Sequence, residues 1–344
     1  MITQQLWFAR PGQVEIRQHT LPPLKANEVC VHNLYSGISA GTEMLVYRGQ
    51  LPTELALDAG LEAMKNRQTE YPLQYGYSAV GRVEQTGTLV DPVWKDKLVF
   101  AFQPHASHYI TTTEQLVPVP IQTDPLAALF LANTETAVNL ALDGRPQLGE
   151  KIVVLGQGVV GLLATAILAR YPLGGLYTLD RIADRRVHAL RLGVNSSSDP
   201  DSVADIAMLK KSLTTAENWH GADLVYELTG VPEVLNLAID LCGYGSRIIT
   251  GSWYGTRTAA LQLGGSFHRN RISITSSQVS TIAPEHTGRW DKTRRFETAW
   301  QMISQINPVK LVTHRIPFAE AARAYDLLDR APHEALQVVL EYPD

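Results

Sequence analysis

Residues 152–166 read IVVLGQGVVGLLATA, and this stretch decides the fold of the chain. It places a G-x-G-x-x-G pattern at Gly156, Gly158 and Gly161, directly after an apolar strand-like run and at the start of an apolar helix-like run. The first glycine permits a tight turn, the second lets backbone N–H groups approach a pyrophosphate, and the third lets the helix pack against its strand. The stretch therefore predicts a dinucleotide-binding turn; the alternative is a glycine turn that only packs a helix on a sheet.

An acid follows this motif at the distance that a dinucleotide site requires. Asp180 ends the next predicted strand, GLYTLD. A carboxylate there bonds the ribose hydroxyls of NAD and repels a 2′-phosphate. Arg181, Arg185 and Arg186 come directly after it and either tolerate a 2′-phosphate or begin a solvated helix. The acid favours NAD(H) over NADP(H).

Strand-like and helix-like runs alternate outward from the glycine stretch, which predicts a parallel sheet with helices on both faces. Residues 1–120 instead contain short strand-like runs broken by Pro, Gly, Asn and Asp, with one helix-like insertion at residues 54–68. The final run, ALQVVLEY, is predicted to be a strand that returns to the first lobe. We therefore expect an α/β protein with a continuous nucleotide domain, 124–282, inside a split, mostly β domain, 1–123 and 283–344.

The composition limits the class of protein. The 344 residues are 45% hydrophobic and 19% charged with a net charge of −4, so the chain is globular and lacks an electrostatic drive toward nucleic acid or membrane. Only Cys30 and Cys242 are present, too few for a four-cysteine zinc lobe. The N-terminal residues lack the pattern of a signal peptide, and no run is apolar enough to span a bilayer. We expect a soluble cytoplasmic protein with neither nucleic acid nor membrane as a partner.

Several stretches resemble the medium-chain dehydrogenase/reductase superfamily, which includes the zinc-type alcohol dehydrogenases. They are GTEMLVYRG (41–49), YGYSAVGRV (75–83), NTETAVNLAL (133–142), the glycine stretch, and THRIPFAEAARAYDLL (313–328). SGISAGTE and YPLQYGYSAVGRV look closest to the hydroxyethyl bacteriochlorophyllide dehydrogenase-like proteins. The resemblance implies a Rossmann domain, a GroES-like catalytic domain and a homodimer joined near ISITSS.

The positions of the family's catalytic zinc ligands carry other residues here. Zinc-containing members have Cys-Gly-Ser-Asp and Gly-His-Glu motifs; aligned with them, Ala40 stands at the thiolate position, and Tyr77 and Ser78 at the imidazole and carboxylate positions. The last ligand position falls near Phe130 or Leu131. Catalytic zinc needs three N, S or carboxylate ligands. The resemblance therefore implies a zinc-independent enzyme without a metal site, in which hydrogen-bond donors polarise the substrate oxygen.

The resemblance also implies candidate catalytic residues. Thr42 matches a hydroxyl proton relay, or it caps the local turn. Tyr77 is an oxyanion or proton donor, or it packs as a half-buried tyrosine. Tyr47 borders the site or forms its wall, and Glu135 is a weaker acid/base candidate or a surface glutamate. Glu43 is expected to form a supporting ion pair with Arg48 or Arg315.

The remaining candidates concern ligands. The spacing of His105 and His108 would suit a metal ion only if both residues lay on one helix. The residues around them favour a loop instead. The basic stretches 268–271 and 288–295 either border a site for an anionic substrate or are solvated. The predicted cofactor-binding residues are Gly156, Gly158, Val159, Val160, Gly161, Asp180, Arg181, Thr134, Thr229, Gly230, Gly251 and Ser252.

Together these features predict an NAD(H)-dependent oxidoreductase that interconverts a secondary alcohol and a ketone by hydride transfer, on a small molecule that is bulky or anionic. Two alternatives remain open. One is an NAD(P)H-dependent reductase of a C=C bond or a quinone, which uses the same hydride donor. The other is a protein that binds NAD(H) without catalysis.

Overall fold

The computed structural model describes residues 1–52, 69–214 and 220–343. The helix predicted at residues 54–68 lies outside them. The chain divides into two compact units, Met1–Ala132 with Ile303–Asp344, and Asn133–Met302. The domain boundaries expected from the sequence, at 123/124 and 282/283, stay a prediction.

The first unit is built on a β-sheet whose strands pair antiparallel except at one edge, where Val312–Pro317 is parallel to Gln337–Glu341. Its strands are β1 (Ile2–Arg10), β2 (Gln13–Thr20), β3 (Glu28–Ile38), β4 (Ala79–Thr86), β5 (Leu98–Ala101), β6 (His108–Thr112), β7 (Leu116–Pro118), β14 (Val312–Pro317) and β15 (Gln337–Glu341), and its helices are α1 (Thr42–Tyr47), α2 (Pro125–Ala128) and α9 (Ala321–Arg330). The main sheet has the order β14-β15-β3-β4-β5-β7, β6 also pairs with β3, and β1 and β2 form a separate hairpin.

Strand β3 organises this sheet because it pairs with three other strands. It is antiparallel to β4, β6 and β15, and Gly37 lies opposite Val339 of the last strand. The return of the C-terminal strand to the first lobe is thereby confirmed. One core of this unit packs α1 and α9 against β1, through buried residues such as Leu6, Phe8 and Tyr325. Burial of such large side chains contributes about 1.5–3 kcal/mol each.

The second unit is a parallel α/β structure. Its strands are β8 (Lys151–Leu155), β9 (Gly175–Leu179), β10 (Ser196–Ser198), β11 (Ala222–Glu227), β12 (Cys242–Thr250) and β13 (Ser273–Ser276), and its helices are α3 (Leu131–Gly144), α4 (Val159–Leu168), α5 (Ala183–Arg191), α6 (Val203–Leu213), α7 (Val234–Leu241) and α8 (Lys292–Ile306). Both α3 and α8 extend a few residues beyond the limits of this unit.

All six strands of this sheet are parallel and follow the order β10-β9-β8-β11-β12-β13. The order reverses between β8 and β11, so the glycine stretch after β8 lies at the topological switch point where doubly wound sheets bind ligands. The predicted combination of a Rossmann sheet with a mostly β domain is confirmed. None of the helices in the three described segments combines the length and apolar character needed to cross a bilayer.

Candidate functional site

The glycine stretch forms a tight turn between β8 and α4. Gly156 has a φ of +92°, which an L side chain rarely adopts. A Cβ atom on Gly161 would lie 2.0 Å from the carbonyl oxygen of Gly156, so only glycine lets α4 approach its strand. A Cβ atom on Gly158 would instead meet only the Arg185 Nη1 atom, at 3.9 Å, among the described neighbours. The second glycine therefore faces open space.

The start of α4 adds the donors that such a turn needs. Gly158 is the N-cap of the helix, and Val159 and Val160 are its first two residues. N–H groups at these positions have no acceptor within a helix, and they form a site for an anion. The open face above Gly158 and these amides fit the pyrophosphate of a dinucleotide.

Asp180 lies directly after β9 and supports the same turn. Its Oδ2 atom accepts a hydrogen bond from the N–H of Gln157 at 2.7 Å, and its Oδ1 atom accepts one from Ile182 at 2.8 Å. A carboxylate oxygen has two lone-pair sites, so each oxygen keeps capacity for a ribose hydroxyl.

The three arginines that follow Asp180 have different partners. Arg181 forms an exposed ion pair with Asp201, and Arg186 donates to Asp199 at 3.0 Å. Arg185 is half-buried beside the glycine turn; burial lowers the pKa of its guanidinium, and Asp180 opposes that shift. Only Arg185 of the three lies against the glycine turn.

The predicted cofactor residues after β11 are held by a buried carboxylate. Glu227 is the last residue of β11, and its Oε1 atom accepts hydrogen bonds from both the N–H (2.7 Å) and the hydroxyl of Thr229. Its Oε2 atom accepts one from the hydroxyl of Tyr254 at 2.6 Å. Glu227 thus ties the loop after β11 to the loop after β12.

The other predicted cofactor residues lie in or beside the same loops. The N–H of Gly230 donates to the Ser252 hydroxyl at 2.9 Å. A Cβ atom on Gly251 would lie 2.6 Å from Leu228, so the two loops approach closely there. Thr134 in α3 is buried, and its hydroxyl has no hydrogen-bond partner among the described residues.

In the first unit two hydroxyls meet: Tyr77 stands at the position that the resemblance aligns with an imidazole ligand, and Ser39 directly precedes Ala40, which stands at the thiolate position. The Tyr77 hydroxyl donates to the Ser39 Oγ atom at 2.5 Å, and the N–H of Thr42 approaches the same oxygen at 3.4 Å. Ser39, Thr42 and Tyr77 are all partly exposed. The Thr42 side chain does not cap α1, because the N-cap residue is Gly41 and no side-chain cap is formed there. We call Ser39 and Tyr77 the hydroxyl pair.

A buried polar network lies behind the hydroxyl pair. Glu43 is fully buried; its Oε1 atom accepts from the N–H of Ser39 at 2.8 Å, and its Oε2 atom accepts from the Tyr325 hydroxyl at 2.6 Å. The same Oε2 atom lies 2.9 Å from His105 Nε2. Burial, together with the carboxylate of Glu43, raises the pKa of the Tyr325 phenol well above its ordinary value. These four residues form what we call the Glu43 network.

The expected ion pair of Glu43 with Arg48 or Arg315 is wrong. Arg48 pairs with Asp329 at 2.8 Å, and the Nε atom of Arg315 donates to Glu341 at 2.7 Å, both on the exposed surface. Glu43 points into the core, where a histidine and a tyrosine are its partners.

The two histidines of the FQPHASHYI stretch do not converge. The His105 Nδ1 atom lies 2.7 Å from the Ser36 hydroxyl, which in turn lies 2.8 Å from the Tyr342 hydroxyl. His108 stacks on His32 with ring centroids 4.5 Å apart. They do not share a metal site, and in the described segments no group of three or more His, Cys, Asp or Glu side chains is arranged to hold a metal ion.

The side chain of Tyr47 packs in the core. It is buried, it stacks on Tyr325 with centroids 5.6 Å apart, and its hydroxyl donates to Asp326 at 3.2 Å. Burial raises the pKa of this phenol, which weakens it as a proton donor. These contacts favour the packing alternative for Tyr47, and its catalytic role stays a prediction.

Glu135 is buried, so the alternative of a surface glutamate is wrong, while its acid/base role stays a prediction. Its Oε1 atom contacts Arg295 at 2.8 Å, and Arg295 also donates to Asn139 at 2.7 Å. Burial raises the pKa of the Glu135 carboxyl, and the guanidinium opposes that shift. This pair links α3 to α8, so Arg295, the last residue of the basic stretch 288–295, belongs to the core.

The other ligand positions carry side chains unsuited to zinc. Ala40 has no donor atom, Phe130 is buried, and the Ser78 hydroxyl donates to the carbonyl oxygen of Leu129 at 2.6 Å. Zinc prefers thiolate, imidazole and carboxylate ligands, so the residues present do not fit a catalytic zinc ion.

Sequence reasoning missed three residues: Ser39 as the partner of Tyr77, His105 as the partner of Glu43, and Glu227. A buried acid at the end of a parallel strand, as in VYELTG, was the available pattern for Glu227. The partners of Glu43 come from segments that are distant in the chain, so no local pattern indicated them.

The fold just described is that of the medium-chain alcohol dehydrogenases. The chain superposes with a TM-score of 0.78 on a structure described as a short chain alcohol dehydrogenase from Escherichia coli CFT073 in complex with NADH, at 18% identity and with 99% of each chain covered. It superposes with a TM-score of 0.77 on 2R,3R-butanediol dehydrogenase from Bacillus subtilis, at 16% identity, covering 99% of this chain and 100% of that one.

Among sequences, the chain is similar to D-guloside 3-dehydrogenase of Escherichia coli (strain K12). The two are 23% identical over 327 residues, which cover 91% of this chain and 92% of that enzyme. No family model matches the chain. The relatives agree with the predicted class of enzyme, a dehydrogenase of the alcohol dehydrogenase type.

Proposed function

We propose that this protein is a zinc-independent, NAD(H)-dependent dehydrogenase that interconverts a secondary alcohol and a ketone. The observation that carries the proposal is the hydroxyl pair: Tyr77 stands where the aligned zinc-containing dehydrogenases have an imidazole ligand, and it donates to Ser39, which is next to the thiolate position. The resemblance to the hydroxyethyl bacteriochlorophyllide dehydrogenase-like branch supports it.

The reaction needs a bound nicotinamide and a polarised substrate oxygen. NAD(H), when bound, accepts or supplies the hydride. The glycine turn, Asp180 and the two loops joined by Glu227 bind and orient that cofactor. The hydroxyls of Ser39, Thr42 and Tyr77 stabilise the charge that develops on the substrate oxygen, as preorganised donors do in metal-free sites.

The preference for NAD(H) over NADP(H) is part of the proposal. It rests on the carboxylate of Asp180, which lies beside the glycine turn and disfavours a 2′-phosphate. The pairing of Arg181 and Arg186 with other carboxylates supports it, because these two guanidinium groups are already neutralised.

The same proposal takes the protein to be a cytoplasmic homodimer that acts on a small molecule and binds neither nucleic acid nor membrane. The net charge and the family resemblance support this part. Light scattering of the purified protein tests the dimer.

The test of function is turnover by the purified, metal-analysed protein. NADH formation is followed with NAD+ and D-sorbitol, 2R,3R-butanediol or L-threonine, substrates named by relatives of this chain. We expect at least one alcohol to be oxidised, with less than stoichiometric zinc and no loss of rate in a chelator. Reduction of a quinone in place of any alcohol would favour the reductase alternative, and NADH binding without any turnover would favour the non-catalytic one.

Variants of the same preparation test the residues. Tyr77→Phe and Thr42→Val are expected to lower kcat while the Kd of NADH stays unchanged. Tyr244→Phe removes the hydroxyl of an exposed tyrosine and is the matched control. Equal turnover by Tyr77→Phe and Tyr244→Phe would contradict the proposed role of the hydroxyl pair.

A further inference from the structure

The hydrogen bonds of the hydroxyl pair have a direction. The Ser39 Oγ atom accepts a hydrogen bond from the Tyr77 hydroxyl at 2.5 Å and faces the N–H of Thr42 at 3.4 Å. A serine hydroxyl has two lone-pair sites and one proton to donate. With both acceptor sites engaged, the Ser39 proton points elsewhere, and no residue in the described segments accepts it. The proton of Tyr77, in contrast, is directed at Ser39.

We propose that Ser39 is the catalytic residue that contacts the substrate oxygen, and that Tyr77 acts through it. This inference rests on the proposed function. In this arrangement the Tyr77 hydroxyl donates a hydrogen bond to the Ser39 hydroxyl, and the Ser39 hydroxyl donates one to the substrate oxygen. Each hydrogen bond in such a chain polarises the next, so Tyr77 strengthens Ser39 as a donor.

The proton balance of ketone reduction follows from this order. The carbonyl carbon gains a hydride, its oxygen takes the proton of Ser39, Ser39 takes the proton of Tyr77, and Tyr77 regains one from water. The net reaction converts ketone, NADH and one proton into alcohol and NAD+. Oxidation of the alcohol runs through the same groups in reverse.

The Glu43 network makes Ser39 a fixed donor. Ser39 donates its N–H to the Glu43 carboxylate at 2.8 Å, and Glu43 returns its own N–H to the Ser39 carbonyl oxygen at 2.9 Å. These reciprocal bonds hold the Ser39 backbone from both sides at the start of α1. Glu43 is therefore a positioning residue for Ser39.

The hydrogen bonds of His105 indicate its tautomer. A carboxylate oxygen accepts and does not donate, so the His105 Nε2 atom carries a proton and donates to Glu43. In that tautomer the Nδ1 atom accepts from the Ser36 hydroxyl, whose oxygen in turn accepts from Tyr342. We assign the Nε2–H tautomer from these contacts. It lets Glu43 accept hydrogen bonds from His105 and from Ser39 together.

A double-mutant cycle tests the order of donors. The probe is N-cyclohexylformamide, an uncharged carbonyl compound that accepts a hydrogen bond and no hydride, bound to the protein–NADH complex and measured by calorimetry. We expect Ser39→Ala to weaken binding about tenfold, the effect of one lost hydrogen bond, and Tyr77→Phe about threefold. The double variant should bind as Ser39→Ala does, because in the proposed order Tyr77 acts on the probe only through Ser39. Ser39→Thr, which keeps the hydroxyl, should restore most of the affinity, and Ser280→Ala is the exposed control.

Three results would overturn the inference: a larger loss for Tyr77→Phe than for Ser39→Ala, losses that multiply in the double variant, or no binding of the probe to the wild-type complex. An unchanged Kd of NADH in every variant shows that the protein is folded. Since the probe is not reduced, its binding is independent of turnover. Failure of the panel of alcohols would therefore refute the proposed function, whereas failure of the cycle would refute the role of Ser39.

Discussion

The guanidinium of Arg295 lies 2.8 Å from the carboxylate of Glu135, and their side chains are only 1% and 3% exposed. The pair joins α3 and α8 of the second unit. A buried pair of this kind is costly to break from one side, because the remaining charge is left away from water without its hydrogen-bonded partner.

We therefore expect Arg295→Met to lower the free energy of unfolding by about 3–5 kcal/mol. The double variant Glu135→Leu/Arg295→Met should regain much of that loss, because it leaves no unpaired charge. Urea unfolding measures both. Arg48→Met, which breaks an exposed pair with Asp329, is the control and should cost at most about 1 kcal/mol. Equal losses for Arg295→Met and Arg48→Met would contradict this reading of the buried pair.

Substitution of the third glycine should separate the helix from its strand. Gly161→Ala places a Cβ atom 2.0 Å from the Gly156 carbonyl oxygen, so α4 must shift. We expect a loss of about 1–3 kcal/mol in stability, together with much weaker NADH binding. Gly288→Ala is the matched control, because a Cβ atom there meets nothing within 4 Å among the described neighbours. NADH titration followed by fluorescence decides the point; unchanged affinity in Gly161→Ala would remove the glycine turn as the cofactor site.

Removal of the charge of Asp180 should change the choice between the two cofactors. Asp180→Asn keeps one oxygen acceptor for the backbone but no longer repels a 2′-phosphate. We expect the ratio of the Kd of NADPH to the Kd of NADH to fall about tenfold, which corresponds to about 1.4 kcal/mol. Asp240→Asn removes an exposed carboxylate whose partner is Lys210, a residue with no part in the proposed cofactor site, and should leave the ratio unchanged. A similar ratio in wild type and Asp180→Asn would show that another residue selects the cofactor.

Both thiols should be unreactive in the folded protein. Burial raises the pKa of Cys30 from 9.0 to about 11 and that of Cys242 from 9.0 to about 12. Iodoacetamide reacts with thiolates, so at pH 8 we expect slow labelling of the native protein and rapid labelling in urea.

The raised pKa values of the two thiols also predict how the stability of the protein changes with pH. Above pH 9 the unfolded chain releases its thiol protons while the folded chain retains them up to about pH 11, so the two thiols lower stability as the pH rises through this window. Replacement of both cysteines by alanine should reduce the slope of stability against pH. Rapid stoichiometric labelling at pH 8 without denaturant would show that the thiols are accessible.

The fold of the second unit was predictable because the residues that determine it are close together in the sequence. The turn from Gly156 to Gly161 and the acid at Asp180 lie within one strand–helix–strand unit, and each residue has a steric or electrostatic reason to stand where it does. The alternation of strands and helices then determined the parallel sheet.

The hydroxyl pair and the Glu43 network were less predictable because their contacts join residues that are distant in the sequence. Sequence reasoning placed Tyr77 and Thr42 near the metal position, but it did not identify Ser39. Tyr325 is 282 positions from its partner Glu43, and no residue pattern reports such a contact. Local propensity also cannot show that Glu135 meets Arg295 across 160 positions, so a surface position was considered for a residue that is buried.

The pairing of β15 with β3 has a consequence for biosynthesis. β3 emerges from the ribosome before the second unit, but its neighbour on one side is made of residues 337–341, which are translated after that unit. The β-rich unit therefore cannot close before residues 337–341 have been made, whereas the residues of the parallel sheet are translated without interruption. We expect the second unit to fold first on the nascent chain, and the open edge of β3 to be the segment that chaperones must shield until β15 has been made.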